Sequence, residues 1–244
     1  MIDVTIEGQT FELLLDLGTY SSALSEEIIE KVKLNKEPNY ARTIDLFGKK
    51  SSYQGFNLYK ILVGNYLLPH LEVNRLEEKW EDSTSKRLTH GHIGRKPFLD
   101  KVLLIDRKNQ CCKVKSARVG KKPKLEKWQP GQWIEADLIL DEELGIVLNL
   151  MIDSNEKKKL ILDTGSNLSM LNEHSSFKKT ISLKDKKEKM TLSLLNGTAL
   201  GVVSFYLFDS SNTGLQGILG FDFFDHYIVC IDFLNKKVFL KQYD

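Results

Sequence analysis

A mostly β chain folded as two tandem lobes is what this sequence predicts, and three repeated features lead there. Asp16-Leu17-Gly18-Thr19 follows the apolar run Leu13-Leu14-Leu15, and Asp163-Thr164-Gly165-Ser166 follows Leu160-Ile161-Leu162. Further on, Gly91-His92-Ile93-Gly94 is matched by Gly217-Ile218-Leu219-Gly220. Each glycine segment then leads through an aromatic-apolar stretch to an Ile-Asp pair, Ile105-Asp106 or Ile231-Asp232, at the same offset from its last glycine. A spacing preserved in two places marks one supersecondary unit used twice. The 244 residues accordingly divide into lobes at 1–114 and 133–244, with 115–132 between them.

The elements follow in chain order. Asp3 to Ile6 and Phe11 to Leu15 read as strands around the polar, glycine-containing break Glu7-Gly8-Gln9-Thr10. The second strand is wholly apolar at its end, so Asp16 is delivered to a buried, shaped position. Ser25 to Val32 predicts a short helix, with Ser25 as N-cap and Glu26 and Glu27 in the first turn. Thr43 to Phe56 forms one hairpin around Gly48-Lys49-Lys50, and Tyr59 to Val73 another around Gly64-Asn65. Residues 74–90 are a polar surface excursion. In the second half, Gly145 to Ile152 and Leu160 to Leu162 repeat the opening strands, while Leu171 to Ser175 is too short and polar for a matching helix. Thr180 to Leu195 predicts a hairpin with the charged tip Lys184 to Lys189.

Bulk composition narrows the function classes. The formal net charge is +2, with 41% hydrophobic and 9% aromatic residues, which describes a globular protein rather than a nucleic-acid binder. The one basic stretch, Lys113 to Gln132, carries Pro123, Pro130 and two glycines and reads as a solvated linker. Three cysteines, two of them the neighbours Cys111 and Cys112, do not make a disulfide framework. No apolar run reaches the length of a membrane span, and the first residues lack the order of a secretory signal. A soluble, cytoplasmic chain is the expectation, with a periplasmic or exported one as the alternative if a leader has been removed.

Two carboxylates have a chemistry that one lacks. Side by side in a partly dry cleft they repel, so one keeps a proton and the pair titrates as a unit. The ionised member takes a proton from a water between them, and the protonated member gives one to the attacked carbonyl oxygen. A pseudo-two-fold axis between the lobes would set Asp16 and Asp163 face to face. Gly18 and Gly165 let the backbone turn sharply toward each carboxylate, and Thr19 and Ser166 can donate hydrogen bonds to it. No metal or cofactor is needed. His90 and His92 lack nearby residues to complete a metal shell, Asp106 and Asp232 read as turn residues, and Gly214, Gly217 and Gly220 do not form a dinucleotide fingerprint.

Those residues together resemble the retropepsin-like aspartic peptidases, most closely at Leu160 to Ser166 and Gly217 to Leu240. The resemblance spans nearly all of both halves. It implies two acid-protease-like β-barrel lobes in one chain, Asp16 and Asp163 as the catalytic pair, and Gly18 and Gly165 as contacts to substrate backbone. By the same resemblance Thr164 would support its loop by reaching across the lobe interface. It also implies a polypeptide substrate, no cofactor and no nucleic acid, and a flap formed by Thr43 to Phe56 or Thr180 to Leu195. A monomer is expected, with a homodimer as the alternative. Leu17 departs from the family pattern, which has Thr or Ser there and a hydroxyl bond to the opposite loop. Losing such a bond costs roughly 0.5–1.5 kcal/mol. An impaired pseudo-peptidase that only binds peptides or a partner protein is therefore the rival to an active endopeptidase.

Overall fold

The computed structural model describes residues 1–32, 39–44, 50–64, 66–76, 80–81, 88–172, 182–209 and 214–243. The chain is mostly β, and it divides into two compact units, Met1–Leu99 and Asp100–Asp244.

In the first unit the strands are β1 (Ile2–Ile6), β2 (Gln9–Leu15), β3 (Ser22–Ser25), β4 (Asn39–Ile44), β5 (Lys50–Val63), β6 (Tyr66–Leu76), β7 (Trp80–Glu81), β8 (Leu88–Thr89) and β9 (Gly91–Ile93), with helix α1 (Glu26–Lys31) after β3. The order β1-β2-β9-β3-β6-β5 closes into a six-stranded barrel because β1 also pairs with β5, and β4 adds to the outside of β5. The turn between β1 and β2 is tighter than expected. Glu7 and Gly8 both hold positive φ, 48° and 77°, which suits a two-residue hairpin connection whose twist matches the strands. Alternation along the strands puts Val4, Ile6, Leu13 and Leu15 inside, where they are buried with Phe56, Leu58, Ile61 and Val73.

Helix α1 lies where predicted, and it buries Ile28 and Ile29. Ser25 occupies the N-cap with extended geometry, but its hydroxyl makes no capping bond and is buried without a partner among the described residues. The hairpin at residues 59–73 is present as β5–β6, with Val63 opposite Tyr66. The backbone pairing of β4 with β5 agrees with the hairpin at residues 43–56, whose tip, 45–49, lies outside the described residues. Of the polar stretch 74–90, residues 74–76 continue β6, β7 and β8 form a small ladder, and 77–79 and 82–87 lie outside the described residues.

The second unit contains β10 (Lys101–Asp106), β11 (Cys111–Ser116), β12 (Ile134–Asp141), β13 (Gly145–Ile152), β14 (Glu156–Leu162), β15 (Met170–Asn172), β16 (Ser182–Leu194), β17 (Ala199–Asp209), β18 (Gly217–Leu219), β19 (Tyr227–Asp232) and β20 (Lys237–Gln242), with helix α2 (Phe221–Phe224) before β19. Here β13-β14-β18-β15-β17-β16 closes through β13–β16, strand for strand the order of the first barrel. The barrel sheet continues through β12 into a wing, β20-β19-β10-β11. Every residue of β19 is buried, the pattern of a central strand covered on both faces.

Two expectations are corrected in this unit. The hairpin at 180–195 is not formed: residues 182–194 run as one strand against β17, with a register irregularity between Leu183 and Lys187, and 173–181 lie outside the described residues. A long cross-strand partner, β17, offers more backbone pairing than a turn at the charged segment would. The second unit starts at Asp100. Val102–Ile105 of β10 pairs with β19 and β11 pairs with β10, and the basic stretch after them is packed rather than a free tether. Leu125 is the reason, because it is buried in a cluster with Val102, Leu104, Ile228, Cys230 and Phe239.

In the wing, β10 and β19 are the corresponding strands of the two repeats, and they pair with each other. Leu104 faces Cys230, its own counterpart, and the register runs symmetrically to either side, from Leu103–Ile231 to Ile105–Val229. That is the self-complementary contact of a two-fold axis. Asp106 and Asp232 take turn roles, as expected: each accepts bonds from the backbone and side chain of an asparagine three residues on, Asn109 or Asn235. Burial works against ionising Asp106, but hydrogen bonds from Asn109, Tyr243 and Gln129 outweigh it and hold the carboxyl below the usual range. The three cysteines are free thiols, and burial raises Cys112 to about 12.

Candidate active site

Each Asp loop is shaped by the strand that passes beneath it. β9 lies between β2, to which it is parallel, and β3, to which it is antiparallel, and β18 lies in the same way between β14 and β15. The loop leaving β2 at Asp16 therefore crosses the end of β9 to reach β3. The loop leaving β14 at Asp163 does the same over β18.

Three bonds hold both crossings alike. Asp16 N donates to Ile93 O at 2.9 Å, and Asp163 N to Leu219 O at 3.0 Å. Gly94 N donates to Ser22 Oγ and Gly220 N to Ser169 Oγ, each at 3.1 Å. Arg95 N donates to Thr19 O at 2.9 Å, and Phe221 N to Ser166 O at 2.7 Å. The second glycine of each segment is needed for space: a Cβ on Gly94 would lie 2.3 Å from Ser21 O, and one on Gly220 2.4 Å from Leu168 O.

The carboxylates are gripped by backbone amides. Gly165 N donates to Asp163 Oδ1 at 2.7 Å, and Thr19 N to Asp16 Oδ1 at 3.2 Å. The hydroxyls act differently from expectation. Thr19 Oγ1 lies within hydrogen-bond reach of the carbonyls of Asp16 and Ser21, and Ser166 Oγ donates to the carbonyl of Leu168, so both hydroxyls serve loop carbonyls. Leu17 and Thr164, at the same place in the two loops, are fully buried.

Several supporting residues were not singled out from the sequence. Ser22 and Ser169 stand at one common offset from Asp16 and Asp163, a signal present in the repeat. Arg95 is 3% exposed, and its Nη1 donates to Gly18 O at 2.9 Å while the guanidinium lies 5.4 Å from the Tyr20 ring. Its counterpart is the aromatic Phe221, so the first loop is tied by a cation where the second has an apolar ring. Asp222 accepts from Ser169 Oγ at 2.5 Å and from Phe223 N at 2.9 Å, linking the second loop to the start of α2.

These two barrels have been seen before. A structure of the aspartic proteinase from Irpex lacteus superposes with a TM-score of 0.60 at 13% identity, covering 99% of this chain and 93% of that one. The fold matches a two-lobed aspartic proteinase. No protein-family model and no curated protein matches the sequence. No helix among the described residues is long and apolar enough to cross a membrane.

Both histidines of the His90-Gly91-His92 segment meet neighbours in the first unit. His90 lies beside Glu27, at 3.6 Å, and His92 Nε2 bonds Ser21 O at 3.2 Å in the first Asp loop. Burial lowers the His92 imidazole from 6.5 to about 4, with the Ser21 bond opposing that shift. The folded state thus resists protonation that the unfolded chain accepts at higher pH. This contribution is complete above pH 6.5 and declines as pH falls toward 4, by about 3 kcal/mol at most. An NMR titration is expected to show the His92 ring neutral at pH 5.5, and denaturant melts to show stability falling across the same window. A ring titrating near 6.5 would remove the effect.

Proposed function

We propose that this chain is an aspartic endopeptidase in which Asp16 and Asp163 act as one dyad on a single water. The observation that carries the reading is the duplicated loop: two aspartates at the same barrel position, each with a backbone amide on its carboxylate and the same three bonds beneath it. The likeness of fold to an aspartic proteinase supports it, and so does the two-fold register of β10 on β19, the pairing that duplicated halves make when they associate symmetrically.

The chemistry follows from sharing one proton. The ionised carboxylate takes a proton from the water as its oxygen adds to the peptide carbonyl carbon, and the protonated carboxyl gives its proton to the carbonyl oxygen. The resulting diol returns one hydroxyl proton to a carboxylate. The amide nitrogen takes a proton, the C–N bond breaks, and acid and amine leave. Gly18 and Gly165 present backbone beside the carboxylates for an extended polypeptide, which pairs as an added strand.

The deciding assay incubates the protein with an unfolded polypeptide from pH 4 to pH 7, with and without a peptide in which a hydroxyl-bearing carbon replaces the scissile carbonyl. Cleavage blocked by that analogue is the expected result. Tight analogue binding with no cleavage at any pH would favour a peptide-binding module, with Leu17 as the lesion.

A further inference from the structure

We propose that a recess over Trp128 in the second unit binds a compact polyanion with closely spaced phosphate groups. It is independent of the peptidase reading. The recess has a volume of about 330 Å³, and Lys115, Arg118, Lys121, Lys122, Lys124 and Lys127 line it. The whole chain carries a formal charge of only +2, so these six cations leave the remaining sequence acidic on balance. Charge concentrated in this way makes a strong local field in a concave site.

The backbone carrying those cations is fixed in place. Gly120 N donates to Asn235 Oδ1 at 2.8 Å, and Asn235 Nδ2 donates to Arg118 O at 3.0 Å. Leu125 anchors the middle in the core, and Gln129 Nε2 donates to Asp106 Oδ2 at 3.1 Å at the far end. Among the described residues, Lys122 is paired with Glu135, and no carboxylate pairs with the other five. Like charges held together by a rigid segment repel, and a multivalent anion relieves that cost.

Shape and chemistry select the ligand. A volume near the lower end for small-molecule sites suits a compact ion better than a polypeptide. Nucleic acid would need an open aromatic face for its bases. Here Lys115 Nζ sits 4.5 Å over the Trp128 ring, and the indole also packs on the cluster around Leu125. Phosphate groups carry about −1.5 to −2 each and offer three acceptor oxygens, which matches several amino groups converging on one recess.

Inorganic tripolyphosphate is the probe, with binding followed by calorimetry and thermal melting at physiological ionic strength. Saturable binding that weakens with added salt is expected, absent with sulfate at equal ionic strength. Lys121→Gln, Lys124→Gln and Lys127→Gln combined should weaken it by about tenfold or more, as loss of three charge contacts requires. Lys157→Gln with Lys189→Gln, exposed lysines elsewhere in the unit, should not. Asn235→Ala keeps all six charges and should still weaken binding several-fold if the pinned backbone matters; its melting curve shows whether it is folded. Sedimentation with vesicles bearing a bisphosphorylated inositol lipid, competed by tripolyphosphate, would make the source a lipid headgroup. Tripolyphosphate binding without vesicle binding would make it a soluble polyphosphate. No saturable binding, unchanged binding in the triple variant, or capture of single-stranded RNA that tripolyphosphate does not displace would overturn the proposal.

Discussion

Replacing Asp163 with asparagine is expected to lower polypeptide cleavage on the order of 10³-fold, because the proposed dyad would lose one of its two general acid–base groups. The amide is nearly isosteric, and its oxygen can still accept from Gly165 N, which holds Asp163 Oδ1 at 2.7 Å. The loop should therefore persist and the loss should be chemical. Asp16→Asn should have the same effect for the same reason, with Thr19 N as the retained donor. Initial rates beside melting curves of both variants measure this. Turnover that survives Asp16→Asn but not Asp163→Asn would remove Asp16 from the dyad. A specific activity that rises with protein concentration would then point to Asp163 pairing with its equivalent in a second copy.

Gly220→Ala is expected to be among the most destabilising single substitutions in the chain. The new Cβ would lie 2.4 Å from the carbonyl oxygen of Leu168 and 2.8 Å from that of Ser166, both backbone atoms of the Asp163 loop. Gly220 has φ −87°, an ordinary value, so the demand is for space alone. Something in the loop must move, and overpacking against backbone costs about 3 kcal/mol. That corresponds to a fall in Tm of about 6–12 °C for a chain of this size. Gly94→Ala should act likewise on the first loop, where Ser21 O and Tyr20 O stand 2.3 and 2.8 Å away. Gly8→Ala is the contrast. Nothing lies within 4 Å there, and an alanine at its φ of 77° costs roughly 1–2 kcal/mol. A melting temperature for Gly220→Ala close to that of Gly8→Ala would show that the loop yields easily.

Much of the local grammar was readable in order along the chain. The helix after Ser25, the β5–β6 hairpin with its Gly64 turn, and the Asp106 and Asp232 turns all depend on residues close in sequence, where spacing, capping position and turn chemistry act directly. The repeat of the Asp loops and glycine segments was legible for the same reason: each is a short pattern, and the offset from the last glycine to the Ile-Asp pair is the same in both halves. The pairing of β2 with β9 and of β14 with β18 could be suspected from that repeat, since both elements recur together.

Other features depended on partners far along the chain. Residues 182–194 run straight through a charged segment because β17 pairs with them, a long-range gain that no local turn preference reveals. The basic stretch is packed because Leu125 finds a pocket made by β10, β19 and β20, strands that lie on either side of it in sequence. Thr19 and Ser166 could have bonded the carboxylates, yet the crossing over β9 and β18 turns them toward loop carbonyls, and backbone amides take the carboxylates. Residue types and their repetition thus declared two β lobes, each bearing an aspartate on a glycine turn. Which donors hold those carboxylates, and why Gly94 and Gly220 have no room for a side chain, was settled only when distant strands came together, because hydrogen bonding and steric exclusion act between neighbours in space.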